Sequence, residues 1–160
     1  MKRKIMTVCF IFQDQKILLG RKKRGLGEGY LNGYGGRLEE NDASIEAGMI
    51  REVEEESKIN IVEAELLGVV DFSFVGEPEL LPRVYIYRSE KFSEEPIETE
   101  EMEPIWFDVD SIPFEEMWDG DKIWFPFVLG KEKFRGKILF DENKKVSEHD
   151  IKKVDSISII

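Results

Sequence analysis

Glu52, Glu55 and Glu56 are the residues of this chain best spaced to act together on a reaction. They lie in the run Arg51-Glu52-Val53-Glu54-Glu55-Glu56-Ser57, downstream of a glycine turn, Gly33-Tyr34-Gly35-Gly36-Arg37. A helix turns about 100° per residue, so the three carboxylates fall within one arc roughly 100° wide. Met49, Ile50 and Val53 occupy the neighbouring arc, with Ile45 close to it, which gives the same helix an apolar packing stripe. Like charges one helical turn apart repel by roughly a few tenths of a kcal/mol per pair. A divalent cation turns that repulsion into a ligand set. Hard oxygen donors of this kind suit Mg²⁺, with Mn²⁺ as a substitute, and substrate phosphates commonly complete the shell.

The plainer reading of such a run is a solvated helix face, because 36% of the residues are charged. The glycine turn weighs against it. Gly35 and Gly36 permit a close backbone approach or a positive φ, which an ordinary loop needs less often. The ordered pattern resembles the signature of the Nudix hydrolases: a glycine, a spaced glutamate, then Arg-Glu, an aliphatic residue, any residue, Glu-Glu, any residue, Gly and an aliphatic residue. Gly36 opens it here, and Arg51-Glu52-Val53-Glu54-Glu55-Glu56-Ser57-Lys58-Ile59 closes it. Asp42 stands where the signature has its first glutamate, the stretch from there to Arg51 is one residue longer, and Lys58 replaces the closing glycine. The resemblance covers about residues 5–140 and includes Leu31-Asn32-Gly33-Tyr34-Gly35-Gly36, Phe72-Ser73-Phe74-Val75-Gly76-Glu77-Pro78-Glu79-Leu80, Met117-Trp118 and Trp124-Phe125-Pro126.

The resemblance implies a site. Glu52, Glu55 and Glu56 hold the metal, the Gly35 carbonyl adds a backbone ligand, and Glu101 is a further ligand or base, against the alternative that it is only a loop glutamate in an acidic stretch. Arg51 orients a glutamate by a bidentate pair. Lys22, in the cluster Arg21-Lys22-Lys23-Arg24, faces the substrate; the alternative for this cluster is a solvated strand end. Tyr34, Gly35, Gly36 and Arg37 of the glycine turn contact substrate, as does Phe72 unless it belongs to the core. Asn32, Trp118, Asp119 and Asp121 surround a purine. Asn32 both donates and accepts at a base edge, and a tryptophan stacked on a base is worth about 1–3 kcal/mol in other systems. Thr7, a polar side chain between apolar neighbours, requires a partner.

The implied activity is Mg²⁺-dependent hydrolysis of oxidised purine nucleoside triphosphates such as 8-oxo-dGTP to the monophosphate and pyrophosphate, which cleans the nucleotide pool. Two alternatives stay open. One keeps the chemistry with another substrate: a plain nucleoside triphosphate, a dinucleoside polyphosphate or a nucleotide sugar. The other is a non-catalytic nucleotide-sensing domain, which the complete glutamate trio speaks against.

Composition bounds the rest. The net charge of −11 argues against a nucleic-acid-binding module, which shows a basic face; a nucleotide polyanion instead arrives with its cation. No apolar run is long enough for a membrane span. Cys9, the one cysteine, lies in an apolar stretch and reads as a buried structural thiol, so a cytoplasmic location is expected. His149, the one histidine, lies in a polar tail and reads as solvated. The chain is expected to act as a monomer or weak homodimer.

The elements that must position these groups follow a mixed order. Ile5–Phe12 and Lys16–Arg21 read as a hairpin. A glycine-rich loop leads to a helix over about 44–58, capped by Asn41, Asp42 or Ser44. Strands are expected at 65–74, 80–88, 105–109 and 134–140, a loop at 91–103, and helical pieces at 112–118 and 122–129. The final alternation, Val154 to Ile160, fits an edge strand or a partner contact. One domain over 1–160 is expected. The fold class implied is α/β: an α/β/α sandwich around a central mixed sheet.

Overall fold

The structure is a computed structural model and describes residues 2–159. β1 (Lys4–Gln13) and β2 (Lys16–Lys22) form the expected hairpin. Asp14 and Gln15 turn it at φ 51° and 65°, the left-handed pair that matches strand twist in a two-residue turn. β3 (Leu31–Asn32) pairs with β2 near its end. α1 (Ile45–Ser57) follows. Then come β4 (Asn60–Phe74), β5 (Pro82–Ser93), β6 (Met102–Asp108), α2 (Asp121–Leu129), β7 (Phe134–Phe140) and β8 (Val146–Lys153). The sheet runs β3-β2-β1-β5-β4-β7-β8, with β6 paired to β2. The β1–β5 and β4–β7 pairs are parallel, and the other named pairs antiparallel.

Central strands are apolar on both sides because a helix covers each face. Cys9, Ile11, Val69 and Tyr85 meet Met49 and Val53 of α1. Phe10, Val70 and Ile86 meet Trp124, Phe125 and Val128 of α2. This is the expected α/β/α sandwich on a mixed sheet. Cys9 is fully buried, and burial pushes its thiol pKa up. Among the described residues, no helix is long and apolar enough to cross a membrane.

The loop expected at 91–103 is shorter, because β5 runs on to Ser93 paired with β4 and β6 starts at Met102. Three other expectations need correction. Residues 112–118 form no α-helix: the helical piece is a single 3₁₀ turn, Phe114–Glu116, with another ahead of the segment at Val109–Ser111. Pro113 interrupts the segment, and Ile112, Phe114, Met117 and Trp118 pack sideways onto the α2-side core. β4 begins at Asn60, ahead of the expected Glu65, because register shifts between Ile61 and Gly68 scramble the two-residue alternation. The edge strand is Val146–Lys153, ahead of the terminal alternation; Ile157 instead packs against the α1-side core, and Ile160 lies outside the described residues.

Candidate active site

The glycine turn is pinned along β1. Thr7 and Cys9 donate their N–H groups to the carbonyls of Gly36 and Tyr34 at 2.8 and 2.6 Å. The approach is so close that a Cβ on Gly35 would overlap the Thr7 carbonyl oxygen, and one on Gly36 would overlap the Glu52 carboxylate. Close approach, and not a left-handed φ, is therefore what these two glycines supply.

α1 brings the carboxylates to this turn. Ser44 caps it, its hydroxyl accepting the Ala47 N–H at 3.0 Å. Lys58 closes it in the left-handed conformation (φ 68°), its N–H bonded to the Glu54 carbonyl at 2.8 Å, so the helix ends as a glycine would end it. Ile45, Met49 and Val53 are buried. Glu56 is buried as well, with Oε1 accepting the Gly35 N–H at 3.0 Å. Burial pushes its carboxyl up to about 7; the Gly35 bond and Lys22 pull it down, while Glu52 and Glu101 push it up. Burial also raises Glu52, opposed by Arg51 and reinforced by Glu55.

Arg51 organises the other carboxylates. Its Nε and Nη2 donate to Asp42 Oδ1 and Oδ2 at 2.8 and 2.9 Å, and Nη1 donates to Glu52 Oε1 at 2.9 Å and more loosely to Glu55. Hydrogen bonding from Arg51, then the Glu39 N–H, holds the Asp42 carboxyl down at about 2. Glu101 Oε1 accepts from Arg24 Nη2 at 2.6 Å.

A cavity opens beside Glu56. Its lining includes Thr7, Lys22, Asn32, Gly35, Gly36 and Glu56, together with Phe72, Trp118 and Asp121. Sequence reasoning placed all of these in the site. It did not place Leu26, Phe74, Met102, Trp124 and Phe140, which also line the cavity. Leu26 carried a usable signal: an apolar residue between Gly25 and Gly27, both at positive φ, in a loop lying against Trp118. Phe74, Trp124 and Phe140 carried none, because an aromatic that walls a pocket has the same pattern as one in the core.

Of the α1 residues only Glu56 lines the cavity, Arg51, Glu52 and Glu55 standing outside the lining, and four further expected positions lie elsewhere. Tyr34 is fully buried in the α1-side core, and its hydroxyl has no hydrogen-bond partner. Arg37 is exposed, and its carbonyl accepts from Arg51 Nη2. Asp119 turns its carboxylate to the Val146 N–H at 2.8 Å. Glu101 is outside the cavity lining, on the Arg24 pair, though near enough to raise Glu56. Asp121 is 5% exposed, and burial, then Asp119, raises its carboxyl well above the ordinary range.

A metal fits this donor set by its chemistry. Glu52 and Glu56 are desolvated, Glu55 beside them is exposed, and the three repel one another, which a divalent cation relieves. As the side chains stand, no three acidic, histidine or cysteine residues among those described converge as a ready shell. Glu52 and Glu55 are turned to Arg51.

Comparison with known proteins gives the same frame. The family described as NUDIX domain matches residues 1–128. A protein of Danio rerio, "Oxidized purine nucleoside triphosphate hydrolase", is 39% identical over 96% of this chain and 97% of its own length. The protein of the same name from Mus musculus is 40% identical over 96% of this chain and 97% of its own. The crystal structure of a Mutator MutT protein from Bacillus halodurans superposes with a TM-score of 0.82 at 22% identity, over 92% of this chain and 97% of that one. That last likeness concerns the fold.

Proposed function

The chain belongs to the Nudix family of hydrolases, and from that premise we propose that it hydrolyses oxidised purine nucleoside triphosphates such as 8-oxo-dGTP. The products are the monophosphate and pyrophosphate, and the role is to clear damaged nucleotides from the cytoplasmic pool. Nudix hydrolases generally use divalent cations; Mg²⁺ is the proposed one here. The names of the relatives from fish and mouse support the substrate class.

The observation that carries the reading is one cavity lined by two unlike sets of residues. One set is the Glu56 carboxylate, the glycine turn and Lys22. The other set is the aromatic side chains Phe72 and Trp118 with Asn32 and the buried Asp121. A polyphosphate joined to a flat polar base matches that division.

Each group has a task. Glu52, Glu55, Glu56 and the Gly35 carbonyl would hold the cation, with Glu101 a further donor. What these residues would gain from a bound cation is a water of lowered pKa and an offset to charge on the phosphoryl oxygens. The Gly35 N–H fixes the orientation of Glu56. Arg51 keeps Glu52 and Glu55 on one side of α1. Lys22 neutralises phosphate charge. Trp118 and Phe72 exclude water from the base, and Asn32 and Asp121 read its edge. An ionised Asp121 accepts from the N–H edge of a guanine type; protonated, it donates as well.

The test is pyrophosphate release from 8-oxo-dGTP, dGTP, plain nucleoside triphosphates, a dinucleoside polyphosphate and a nucleotide sugar, with Mg²⁺ and with chelator. Metal-dependent release with the highest kcat/KM on 8-oxo-dGTP is the expected result. A higher kcat/KM on any of the others overturns the substrate assigned here.

A further inference from the structure

The segment from Trp118 to Asp121 forms one wall of the cavity, and it is held by the far end of the chain. Asp119 accepts the Val146 N–H at 2.8 Å, across 27 positions of sequence. Val146 is the first residue of β8, and it sits opposite Phe140, itself a cavity residue. Gly120 lies at φ 100°, where L side chains are strained, and a Cβ there would stand 2.9 Å from Val146 Cγ2. Backbone and side chain of this segment therefore both meet the same strand end.

That strand end is itself firm. Asp141 Oδ1 accepts the N–H groups of Asn143 and Lys145 at 2.8 and 3.0 Å, which closes the turn between β7 and β8. Lys144 on this turn places Nζ 6.0 Å from the centre of the Trp118 ring. Trp118 packs at 5.5 Å from Phe140 and edge-on at 5.2 Å from Tyr30. The Asp121 N–H bonds the Trp118 carbonyl at 3.1 Å, so the wall is a turn in its own right, and Asp119 fastens that turn to the sheet.

We propose that Asp119 is a positioning residue for base recognition: by accepting the Val146 N–H it latches β8 to the 118–121 turn and fixes where the Trp118 ring and the Asp121 carboxylate stand against the purine. The β7–β8 hairpin is then part of the specificity apparatus, although β8 contributes no side chain to the cavity lining. The proposal rests on the purine-pocket reading above. It replaces a direct contact between Asp119 and the base with an indirect one.

Two variants separate the latch from a charge effect. Asp119→Ala removes the acceptor. Asp119→Asn keeps an amide oxygen for the Val146 N–H and removes the charge that acts on Asp121. Steady-state kinetics on 8-oxo-dGTP and dGTP are measured for both, with amide hydrogen exchange at Val146. Asp119→Ala is expected to raise KM for 8-oxo-dGTP about tenfold with a much smaller change in kcat, to narrow the preference over dGTP, and to speed exchange at Val146, while Asp119→Asn stays within about threefold of wild type. Val146→Pro deletes the donor from the other side, at a first strand position where proline is tolerated, and is expected to raise KM likewise. Unchanged KM and selectivity in Asp119→Ala overturns the proposal. So does an Asp119→Asn variant that behaves like Asp119→Ala, which assigns the effect to charge. Should wild type leave 8-oxo-dGTP intact, the substrate reading fails by itself; the comparison is then made on the triphosphate it does cleave, with the same KM rise expected.

Discussion

Arg51 grips Asp42 through two parallel hydrogen bonds, Nε to Oδ1 at 2.8 Å and Nη2 to Oδ2 at 2.9 Å, and holds Glu52 with its remaining nitrogen. The Asp42 side chain is only 6% exposed. Its Oδ2 also accepts the Glu39 N–H at 2.8 Å, so one carboxylate ties the incoming loop to the helix that carries the site. The one-residue lengthening of this stretch and the shorter side chain are accommodated in that loop, ahead of α1.

Arg51→Lys keeps the charge and loses the planar fork. The lost charged hydrogen bonds are expected to cost about 1–3 kcal/mol of stability, with at least about a tenfold fall in kcat because Glu52 and Glu55 lose their common anchor. Thermal melts and turnover check this. A variant with wild-type kcat would show that Arg51 serves folding alone.

Glu55→Gln and Glu56→Gln are each expected to lower kcat at least about a hundredfold while the fold persists, since several kcal/mol of charge stabilisation depend on the cation they hold. Glu56→Gln retains an oxygen for the Gly35 N–H, so its melting temperature is expected to stay at or above that of wild type. Near-full turnover in both variants would remove their metal role.

Asn32→Ala is expected to raise KM or relax base preference with metal dependence unchanged, because a site built to hydrogen-bond a base discriminates when its polar groups lose their partners. If neither KM nor selectivity moves, Asn32 serves only to hold β3 against β2.

Asp121 sets a pH dependence of stability. Its folded pKa is raised by burial and then by Asp119, so the folded state binds the proton more tightly than the unfolded chain. Its contribution is complete below the unfolded value of about 3.9 and is lost as pH rises through the folded pKa. Asp121→Asn is therefore expected to melt higher than wild type at pH 8 and to converge with it near pH 4, while losing affinity for the purine. Parallel melting curves of the two proteins from pH 4 to pH 8 would contradict this assignment.

With Asp119 engaged by Val146, Asp121 is the one aspartate among the described residues that line the cavity. A pair of adjacent carboxylates shares a proton and suits purines with opposite edges; a single one has less freedom. Wild type is expected to favour 8-oxo-dGTP over 2-hydroxy-dATP in kcat/KM. Equal efficiency on the two would defeat this. Gly120→Asp is a poor instrument for the question, because φ 100° and the neighbouring Val146 make any side chain there a strain on the backbone.

The helix of the site and the strands that flank it were legible in the sequence because both signals are local. Ser44, the Met49–Val53 stripe and the spacing of Arg51, Glu52, Glu55 and Glu56 depend on residues within a few turns of one another. The apolar runs of β1, β2 and β7 are equally self-contained. What stayed hidden depends on distant partners. The direction of the Asp119 carboxylate is decided by Val146, and the burial of Tyr34 by the pairing of its segment with β1. The start of β4 was masked by bulges, and residues 112–118 have helical spacing of apolar residues without the backbone to use it.

The overlap that any Cβ at Gly35 would make with the β1 backbone has a genetic meaning. Every missense change in that codon adds a Cβ, so no codon one step away encodes a tolerated residue, whatever its chemistry. In a saturation-mutagenesis survey scored for activity, this position should be as intolerant as the glutamates it abuts, although it offers no functional group. Depletion across all substitutions would there mark a space that must stay empty.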